Sequence, residues 1–471
     1  MAKIDYQKLE KKLVNAKRNA WDESTDKEKK EIMTFAEGYK DYLNSAKTER
    51  EAVTRGIELA RANGFKNLES CENLQTGDKV YAVNRGKSLV FIVIGKNLAV
   101  AGFNLVMSHV DVPHLDLKVN PLYEDAGIAY FKTHYYGGIK KYQWPTIPLA
   151  LHGVVILANG KKVKITIGEK DADPIFMISD LLPHLGKEQM KKTLEEGVTA
   201  EELNIVIGSL PVADKNIKER VKLATLEHLN SVYGLTEADF ASAELQIVAA
   251  SKARDLGFDR SLLAAFGQDD RVCAYTSMQA IFNAKKSART QVCLWIDREE
   301  IGSEGNTGAQ SFWLENVIAA VLEKTGENAN FKDVYKVFEK SQAISADVTA
   351  AFDPDYKEVH DPRNAAYLGA GVAMEKHTGH RGKAMTSEAS AEYMQKLREV
   401  LNKNKVVWQT GGLGKVDQGG GGTIAMFLAK RNLDVVDMGV GVLNMHAPME
   451  IVSKADTYQA YKAYKAFFEM V

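Results

Sequence analysis

The order of hydrophobic and polar positions divides the chain into three stretches with different hydrophobic patterns. Near the start, "STDKEKKEIMTFAEGYKDYL" places apolar residues at the spacing of an amphipathic helix. The next segment, "TEREAVTRGIELARANG", opens with the capping-box pair Thr48 and Glu51 and ends at Gly64, which predicts a second helix. From "KSLVFIVIGK" onward, short apolar runs predict strands.

The hydrophobic pattern changes between Leu115 and Lys252, where β-rich runs become frequent. The segment "GVVILANGKKVKITIG" carries two β-rich runs around Asn159-Gly160, a dipeptide typical of hairpin turns. Further on, "KNIKERVKLATLEHLNSVYG" has a helical pattern and "AELQIVAA" has the composition of a strand. We therefore expect residues 115–252 to form an inserted β-rich domain, between the two parts, 1–114 and 253–471, of a discontinuous larger domain.

The last stretch alternates apolar runs with helical segments. "TQVCLWID", "SQAISAD", "KVVWQTGG" and "LDVVDMGVGVLNMHAP" have the composition of strands, and "ENVIAAVLEKTG" is helical in pattern. Strands that alternate with helices are typical of a mostly parallel sheet covered by helices on both faces. The sequence thus predicts an α/β fold with a central, mostly parallel sheet and the inserted β-rich domain.

Composition and charge narrow the possible partners. The chain has 471 residues, and 45% of them are hydrophobic, enough for a sizeable core. Its 61 basic and 62 acidic residues give a net charge of −1, which does not favour nucleic acid as a partner. The three cysteines are widely spaced, the N-terminal segment has no apolar signal-peptide region, and no apolar run reaches membrane-spanning length. These features predict a cytoplasmic protein without a membrane partner.

The candidate functional residues are polar residues that follow the apolar runs, because open α/β sheets bind their ligands at the ends of their strands. These residues are His109 and Asp111 in "MSHVDVP", Asp269 in "FGQDDRV", Glu299 and Glu300 in "WIDREEIG", Asp347 in "ISADVTA" and His446 in "LNMHAP". Two imidazoles and several carboxylates, without a thiolate, suit a pair of Zn, Co or Mn ions. Each cluster alone also fits a buried histidine, a solvated turn or a helix cap, so the prediction depends on their occurrence together.

The spacing within two clusters indicates separate roles. Residues i and i+2 of a strand share a face, so Asp111 can hydrogen-bond the far ring nitrogen of His109 and orient it. Adjacent residues of an extended chain point in opposite directions, so Glu300 can bind a metal ion while Glu299 faces a water molecule and moves its proton. The alternative is a solvated charge cluster at the end of a strand.

Five segments together resemble a known family. They are "SHVDVP", "GQDDRVCAY", "DREEIGSEG", "ISADVTAAFDPDY" and "MHAPMEIVSKADTYQAYKAYKAFF". In order and character they resemble the metallo-aminopeptidases that include aspartyl aminopeptidase and vacuolar aminopeptidase I. The resemblance implies metal ligands His109, Glu300, Asp347 and His446, with Asp269 as the bridging ligand. It also implies that Asp111 orients His109, that Glu299 is the general base and that the Asp269-Asp270 peptide bond is cis.

The resemblance also implies an assembly and a substrate pocket. Family members form homo-dodecamers through the inserted domain, and a histidine from a neighbour reaches the active site. His152 in "IPLALHGVV" occupies that place here, although a half-buried strand histidine is the alternative. Lys383 falls where some members carry a substrate-binding lysine, but the surrounding "KAMTSEASAEY" differs from theirs. A preference for acidic or for neutral N-terminal residues therefore stays open.

We expect a cytoplasmic, homo-oligomeric aminopeptidase that uses two divalent ions per chain, most simply zinc, and acts on peptides with a free N-terminus. A two-metal carboxypeptidase or N-deacylase is the nearest alternative, and it would need a cationic side chain for a carboxylate instead of a pocket for a free amine. A metal-stabilised assembly protein without catalysis is the alternative from another class, and it would not need the base Glu299.

Overall fold

The computed structural model describes residues 5–14 and 17–470. Residues 1–4, part of the N-terminal segment considered above, lie outside the described residues. In the described ranges the α-helices are Tyr6–Leu13 (α1), Asp26–Ser45 (α2), Glu49–Ala62 (α3), Leu98–Ala101 (α4), Arg220–Tyr233 (α5), Gln268–Asn283 (α6), Trp313–Lys324 (α7), Phe331–Glu339 (α8), Ala391–Lys403 (α9), Ala425–Ala429 (α10) and Lys454–Phe468 (α11).

The largest sheet has nine strands. They are Lys66–Asn67 (β1), Lys79–Asn84 (β2), Ser88–Val93 (β3), Phe103–His109 (β4), Thr290–Ile296 (β14), Gln342–Ser345 (β15), Val372–Glu375 (β17), Trp408–Thr410 (β18) and Asp434–Gly439 (β19). They lie in the order β1-β2-β3-β14-β4-β15-β19-β17-β18, and the central run β14-β4-β15-β19 is parallel throughout. This mostly parallel sheet confirms the predicted α/β class.

Both faces of the large sheet are covered, because its central strands are apolar on both sides. One face packs against α7, α8 and α10 through residues such as Ile318, Phe338 and Leu428. The other packs against α2, α3, α6, α9 and α11 through residues such as Tyr464 and Trp295. Parallel strands end at the same edge, so His109 at the end of β4 and the loop after Ile296 at the end of β14 lie side by side.

A second sheet of seven strands lies between His114 and Ala249. Its strands are His114–Asp125 (β5), Ile128–Tyr136 (β6), Leu149–Ile156 (β7), Lys162–Ile167 (β8), Met177–Ile178 (β9), Ile205–Gly208 (β10) and Ala243–Ala249 (β11). Every pairing in this sheet is antiparallel, and β7 and β8 form the predicted hairpin, with Gly160 at a φ of 80°. The sheet has its own core, which includes Trp144 and Leu151.

A third sheet of five strands joins segments from distant parts of the chain. Its strands are Arg254–Leu256 (β12), Leu262–Ala265 (β13), Thr349–Ala350 (β16), Gly441–Leu443 (β20) and Glu450–Ser453 (β21). The antiparallel pairing of β13 with β21 places the start of α6 next to the loop that precedes Glu450. Both segments carry residues that the sequence predicts as metal ligands.

The helix starts follow the sequence in α2 and depart from it in α3. At α2, Thr25 and Glu28 form a complete capping box. At α3, the Thr48 hydroxyl accepts a hydrogen bond from the Glu51 N–H at 3.2 Å, so half of the predicted box is present. The Glu51 carboxylate instead pairs with His152 of β7, at 3.0 Å from Nδ1. A buried ionic partner outweighs the local capping bond at this position.

None of the helices in the described ranges combines the length and the apolar character needed to cross a membrane.

Candidate metal centre

The centre lies at the edge of the large sheet where its parallel strands end. His109 is the last residue of β4, and its Nε2 atom lies 3.2 Å from Oδ1 of Asp269. The same Nε2 is 3.7 Å from Oδ1 of Asp347, just beyond β15, and 4.0 Å from Oε2 of Glu299, beyond β14. The fold therefore brings carboxylates from three separate segments to one imidazole.

A second imidazole approaches the same aspartate from the other side. The Nε2 atom of His446 lies 3.1 Å from Oδ2 of Asp269 and 3.3 Å from Oε2 of Glu300. Each oxygen of Asp269 thus faces a different histidine. His446 has a left-handed backbone with a φ of 65°, and its Nδ1–H donates to the carbonyl oxygen of Gly138 at 2.9 Å. That hydrogen bond directs the other ring nitrogen toward the carboxylates.

His109 contacts Asp111, but not in the way the strand spacing predicts. Its Nδ1–H donates to the backbone carbonyl oxygen of Asp111 at 3.0 Å, and the Asp111 carboxylate is farther away at 3.4 Å. The strand ends at His109, so the alternation of side chains no longer governs the position of Asp111. The two residues are therefore in contact, most closely through the main chain, and the orienting role of Asp111 stays a prediction.

The Asp111 carboxylate has a further role, which is to hold the turn that carries the two glutamates. Residues Glu299–Ile301 form a turn of 3-10 helix, so the extended geometry expected for this pair is wrong. Asp111 accepts hydrogen bonds from the N–H groups of Glu299 and Glu300, each at 3.1 Å, and from the Tyr136 hydroxyl at 2.8 Å. The turn still sends the two carboxylates to different histidines, Glu299 toward His109 and Glu300 toward His446.

The backbone around Asp269 is irregular. The peptide bond between Asp269 and Asp270 is cis, as the family resemblance implies. Asp270 was not among the predicted site residues, yet its Oδ2 accepts a hydrogen bond from the His109 N–H at 3.3 Å. Glu450 was also missed, and it accepts N–H hydrogen bonds from Asp269 at 3.1 Å and from His446 at 2.8 Å. Both residues lie inside the quoted motifs, so proximity to a predicted ligand was the available signal.

Burial and mutual repulsion shift the protonation of these groups. Burial and the charge of Asp347 raise the pKa of Glu299 to about 8. Burial and the charge of Asp269 raise the pKa of Glu300 well above its usual range. Although burial alone would lower it, the hydrogen bond with Asp269 raises the pKa of His446 to about 11. The carboxylates repel one another, and the two histidines compensate only part of that repulsion.

The donor set fits divalent cations. Two sets of three side chains could each hold a cation, because the ligand atoms within each set lie within 4.8 Å of one another. One set is His109, Asp270 and Asp347, and the other is His109, Asp269 and Glu300. In addition, the buried Oδ1 of Asp270 and Oε1 of Glu300 have no hydrogen-bond partner among the described residues. Imidazole and carboxylate ligands suit zinc, and unpartnered buried carboxylate oxygens are costly unless a cation compensates them.

The remaining two predicted site residues lie outside this cluster. His152 is buried on β7, with Nδ1 3.0 Å from Glu51 and Nε2 3.0 Å from Glu169. The Nζ atom of Lys383 lies 3.0 Å from Oε1 of Glu388. The structure therefore brings seven of the nine predicted residues together. A role of His152 and Lys383 in substrate binding stays a prediction.

Two buried carboxyls that the sequence did not single out lie behind Asp347. Glu375 on β17 and Asp437 on β19 are cross-strand partners. Burial and the Asp437 and Asp347 charges raise the pKa of Glu375 to about 8. Burial and the Asp347 charge likewise raise the pKa of Asp437 to about 7. Near neutral pH, Glu375 is therefore mostly protonated and Asp437 partly so.

Comparison with known proteins agrees with the geometry. A family model described as aminopeptidase I zinc metalloprotease (M18) matches residues 42–468. The probable M18 family aminopeptidase 1 of Clostridium acetobutylicum is 48% identical, over 97% of this chain and 98% of its own. The crystal structure of an M18 aminopeptidase from Thermotoga maritima has 45% identity and a TM-score of 0.94, covering 97% of this chain and 100% of that one.

A more distant structure shares the fold. A mApe1 dodecamer from S. cerevisiae matches with a TM-score of 0.72 at 20% identity, over 92% of this chain and 96% of that one. The predicted family and the predicted aminopeptidase activity are confirmed by the nearer relatives. The chain belongs to the M18 family of zinc metalloproteases and is an aminopeptidase, a hydrolase that acts on peptide bonds.

Proposed function

We propose that each chain holds two zinc ions, with Asp269 as the ligand that the ions share. His109 and Asp347 would complete one site, and His446 and Glu300 the other. The observation that carries the proposal is that the two oxygens of Asp269 face two different imidazoles, at 3.2 Å and 3.1 Å. A carboxylate with one oxygen toward each nitrogen donor is well arranged to bridge two ions.

The ions would supply Lewis-acid chemistry, polarising the scissile carbonyl group and lowering the pKa of water. In this proposal the chain's own residues move the proton. Glu299 takes a proton from the attacking water and passes it to the leaving amine. Its side chain is partly exposed at 17%, whereas the Glu300 side chain is buried at 4%, which supports the division between a reacting group and a ligand. Asp111 keeps both glutamates in position through the two N–H bonds of their turn.

We propose that the enzyme prefers neutral over acidic N-terminal residues. An acidic substrate side chain would need a cationic partner, and Lys383 is the residue predicted for that role. Lys383 would have to leave the Glu388 carboxylate, 3.0 Å away, in order to bind such a side chain. This pairing weighs against a preference for aspartate or glutamate.

We also propose that residues 115–252 are an inserted domain through which copies of the chain assemble, the remainder being the catalytic domain. In support, all seven strands of the second sheet lie between His114 and Ala249. Between residues 175 and 194, six large apolar side chains are exposed, namely Ile175, Leu181, Leu182, Leu185, Met190 and Leu194. Exposed apolar groups at this density are typical of protein interfaces. A dodecamer, as named for the yeast structure, is the proposed assembly.

The decisive experiment is cleavage of amino-acid anilides of Leu, Asp and Glu, each with a free or an acetylated amine. The protein is assayed as purified, after chelation, and after addition of Zn, Co or Mn. We expect metal-restored cleavage of the free-amine substrates only, with the Leu anilide fastest. Two metal ions per chain by elemental analysis would agree with the proposed site. Faster cleavage of the Asp or Glu anilide would contradict the proposed preference, and a single ion per chain would contradict the shared-ligand arrangement.

A further inference from the structure

Glu450 is a buried acidic residue that the proposed reaction does not use. It is the first residue of β21, and it is only 1% exposed. Its Oε2 accepts hydrogen bonds from the N–H groups of Gln268 at 2.6 Å and Asp269 at 3.1 Å. Its Oε1 accepts a hydrogen bond from the N–H of His446 at 2.8 Å. One carboxylate thus joins two segments that are far apart in the chain.

Both of these segments lack regular secondary structure where they meet Glu450. Asp269 has a φ of −81° and a ψ of 108°, which are not helical values although it lies at the start of α6. His446 has a left-handed φ of 65°. In a regular helix or strand, a ladder of main-chain hydrogen bonds fixes the backbone. Here the N–H groups of Asp269 and His446 are instead fixed by one side chain.

The two segments carry residues whose side chains must face each other. The Nε2 atom of His446 lies 3.1 Å from Oδ2 of Asp269. The other half of the centre has separate supports, because Asp270 accepts the His109 N–H and the Asp111 carbonyl accepts the His109 Nδ1–H. Glu450 therefore holds the main chain of His446 and of the shared ligand Asp269, whereas the supports of His109 do not include it.

We infer that Glu450 is a positioning residue that sets the affinity of one of the two ions, the one held by His446, Glu300 and Asp269. The ion held by His109 and Asp347 depends on Glu450 only through the shared ligand Asp269, because His109 has its own supports in Asp111 and Asp270. The inference rests on the two-ion site proposed above. It implies that the two sites differ in their affinity for zinc because different residues hold their ligands in place.

Glutamine in place of Glu450 separates the two halves. Its side chain has one acceptor oxygen and one NH2 group, whereas three N–H groups converge on the two oxygens of Glu450. The amide oxygen is favoured on the side where Gln268 and Asp269 both donate, so the NH2 group faces the His446 N–H. That contact between two donors moves the His446 loop.

The test is a zinc titration of the dialysed full-length chain in competition with a chromophoric chelator. Wild-type protein should bind two ions. E450Q should bind the first ion as tightly as wild type and the second about 10–100-fold more weakly, the usual range for a residue that supports a ligand. Cobalt absorption spectra report the same event without activity, because E450Q should lose the spectrum of the second ion only.

Asp456→Asn is the matched control. Asp456 is a fully buried carboxylate that accepts the N–H groups of Gly369 and Gly371, both at 2.7 Å, and it touches none of the proposed ligands. D456N should lower thermal stability but bind both ions as wild type does. If E450Q does not fold, E450D takes its place. It keeps the charge but is one methylene too short to reach both segments, and it should weaken binding of the second ion more than that of the first.

The outcomes separate this inference from the proposed function. Unchanged binding of both ions by E450Q or E450D, an equal loss of both, or the same selective loss in D456N would overturn the role of Glu450. Binding of fewer than two ions by wild type would overturn the two-ion site and this inference with it. A double variant decides whether the effect passes through His446. In an H446A background, adding E450Q should not change the affinity for either zinc ion any further, and a further loss of affinity would contradict the inference.

Discussion

Two buried regions of this enzyme place histidine between carboxylates, and they differ in how charge is compensated. The acidic centre consists of His109, Asp269, Asp270, Glu299, Glu300, Asp347 and His446. The ionic network between the two large sheets consists of Lys47, Glu51, His152, Lys164 and Glu169. In the network, Lys47 lies 2.7 Å from Glu169 and Lys164 lies 3.2 Å from Glu51. Cations and carboxylates therefore balance in the network, whereas carboxylates dominate in the acidic centre.

The pKa values follow the same division. In the network, burial would raise the pKa of Glu51, but His152 and Lys164 lower it to about 2. In the acidic centre, burial and Asp347 raise the pKa of Glu299 to about 8. A buried group that is fully paired stabilises one arrangement of the chain, whereas buried carboxylates in excess need an added cation. The contrast separates a structural element from a functional site.

The largest effect that sharpens this contrast is expected from Asp269→Asn. It removes the group that faces both histidines, at 3.2 Å and 3.1 Å. We expect affinity for both ions to fall by more than the ~10–100-fold typical of supporting residues, and activity to fall with it. Metal analysis after gel filtration measures the loss. Asp239→Asn, at a buried carboxylate that caps the turn Glu237–Ser242, is the control and should keep both ions. Retention of two ions by D269N would contradict the proposed role of Asp269 as the ligand that both ions share.

Glu299→Gln should remove the proton transfer and spare the metal. The turnover number should fall by ~10²–10⁴-fold, the usual contribution of a general base. Zinc content should stay at the wild-type value, because Glu299 is not among the proposed ligands. Glu304→Gln, at an exposed position in the same loop, is the matched control and should behave as wild type. Loss of metal together with activity would show that Glu299 acts as a ligand.

A smaller effect is expected from His152→Gln, in stability rather than activity. The variant leaves a buried carboxylate partly unpaired, which should cost ~2 kcal/mol of unfolding free energy. Burial would lower the pKa of His152, but Glu169 and Glu51 raise it above its usual 6.5. The stabilisation is therefore full below pH 6.5 and is lost as pH rises through the raised value. For Glu51, with a pKa lowered from 4.5 to about 2, it is full above 4.5 and lost as pH falls toward 2.

The difference in stability between wild type and H152Q should thus be greatest between about pH 4.5 and 6.5. Urea unfolding at a series of pH values measures it. His228→Gln, at an exposed position on α5, is the matched control and should leave the free energy of unfolding unchanged. A loss of activity in H152Q at unchanged stability would instead favour the predicted contribution of His152 to a neighbouring active site.

Much of the architecture could be predicted from short segments. The Asn159-Gly160 turn predicted the hairpin of β7 and β8, and the apolar run at Val292 predicted β14. Seven of the nine predicted site residues meet at one sheet edge: His109, Glu299 and Asp347 lie at or beyond the ends of parallel strands, and the third sheet brings in Asp269 and His446. These features depend on neighbours within a few residues, and hydrophobic spacing and turn chemistry report them directly.

The geometry of Glu299 and Glu300 could not be predicted in this way. The extended alternation that predicted their separation is absent, and the 3-10 turn that replaces it is held by Asp111 from the segment between β4 and β5. The capping box of Thr48 is half formed for a related reason, since Glu51 pairs with His152 from the second sheet. In both cases a distant partner replaced the local one.

The sequence by itself determined which side chains are available for chemistry and the order in which strands deliver them. Only the tertiary structure decided that each oxygen of Asp269 faces a different histidine, and that Glu450 joins the two segments that carry Asp269 and His446. The physical reason is that strand and helix periodicity is a short-range property of the chain. The pairing of buried charges depends instead on distances that exist only after segments far apart in sequence have packed together.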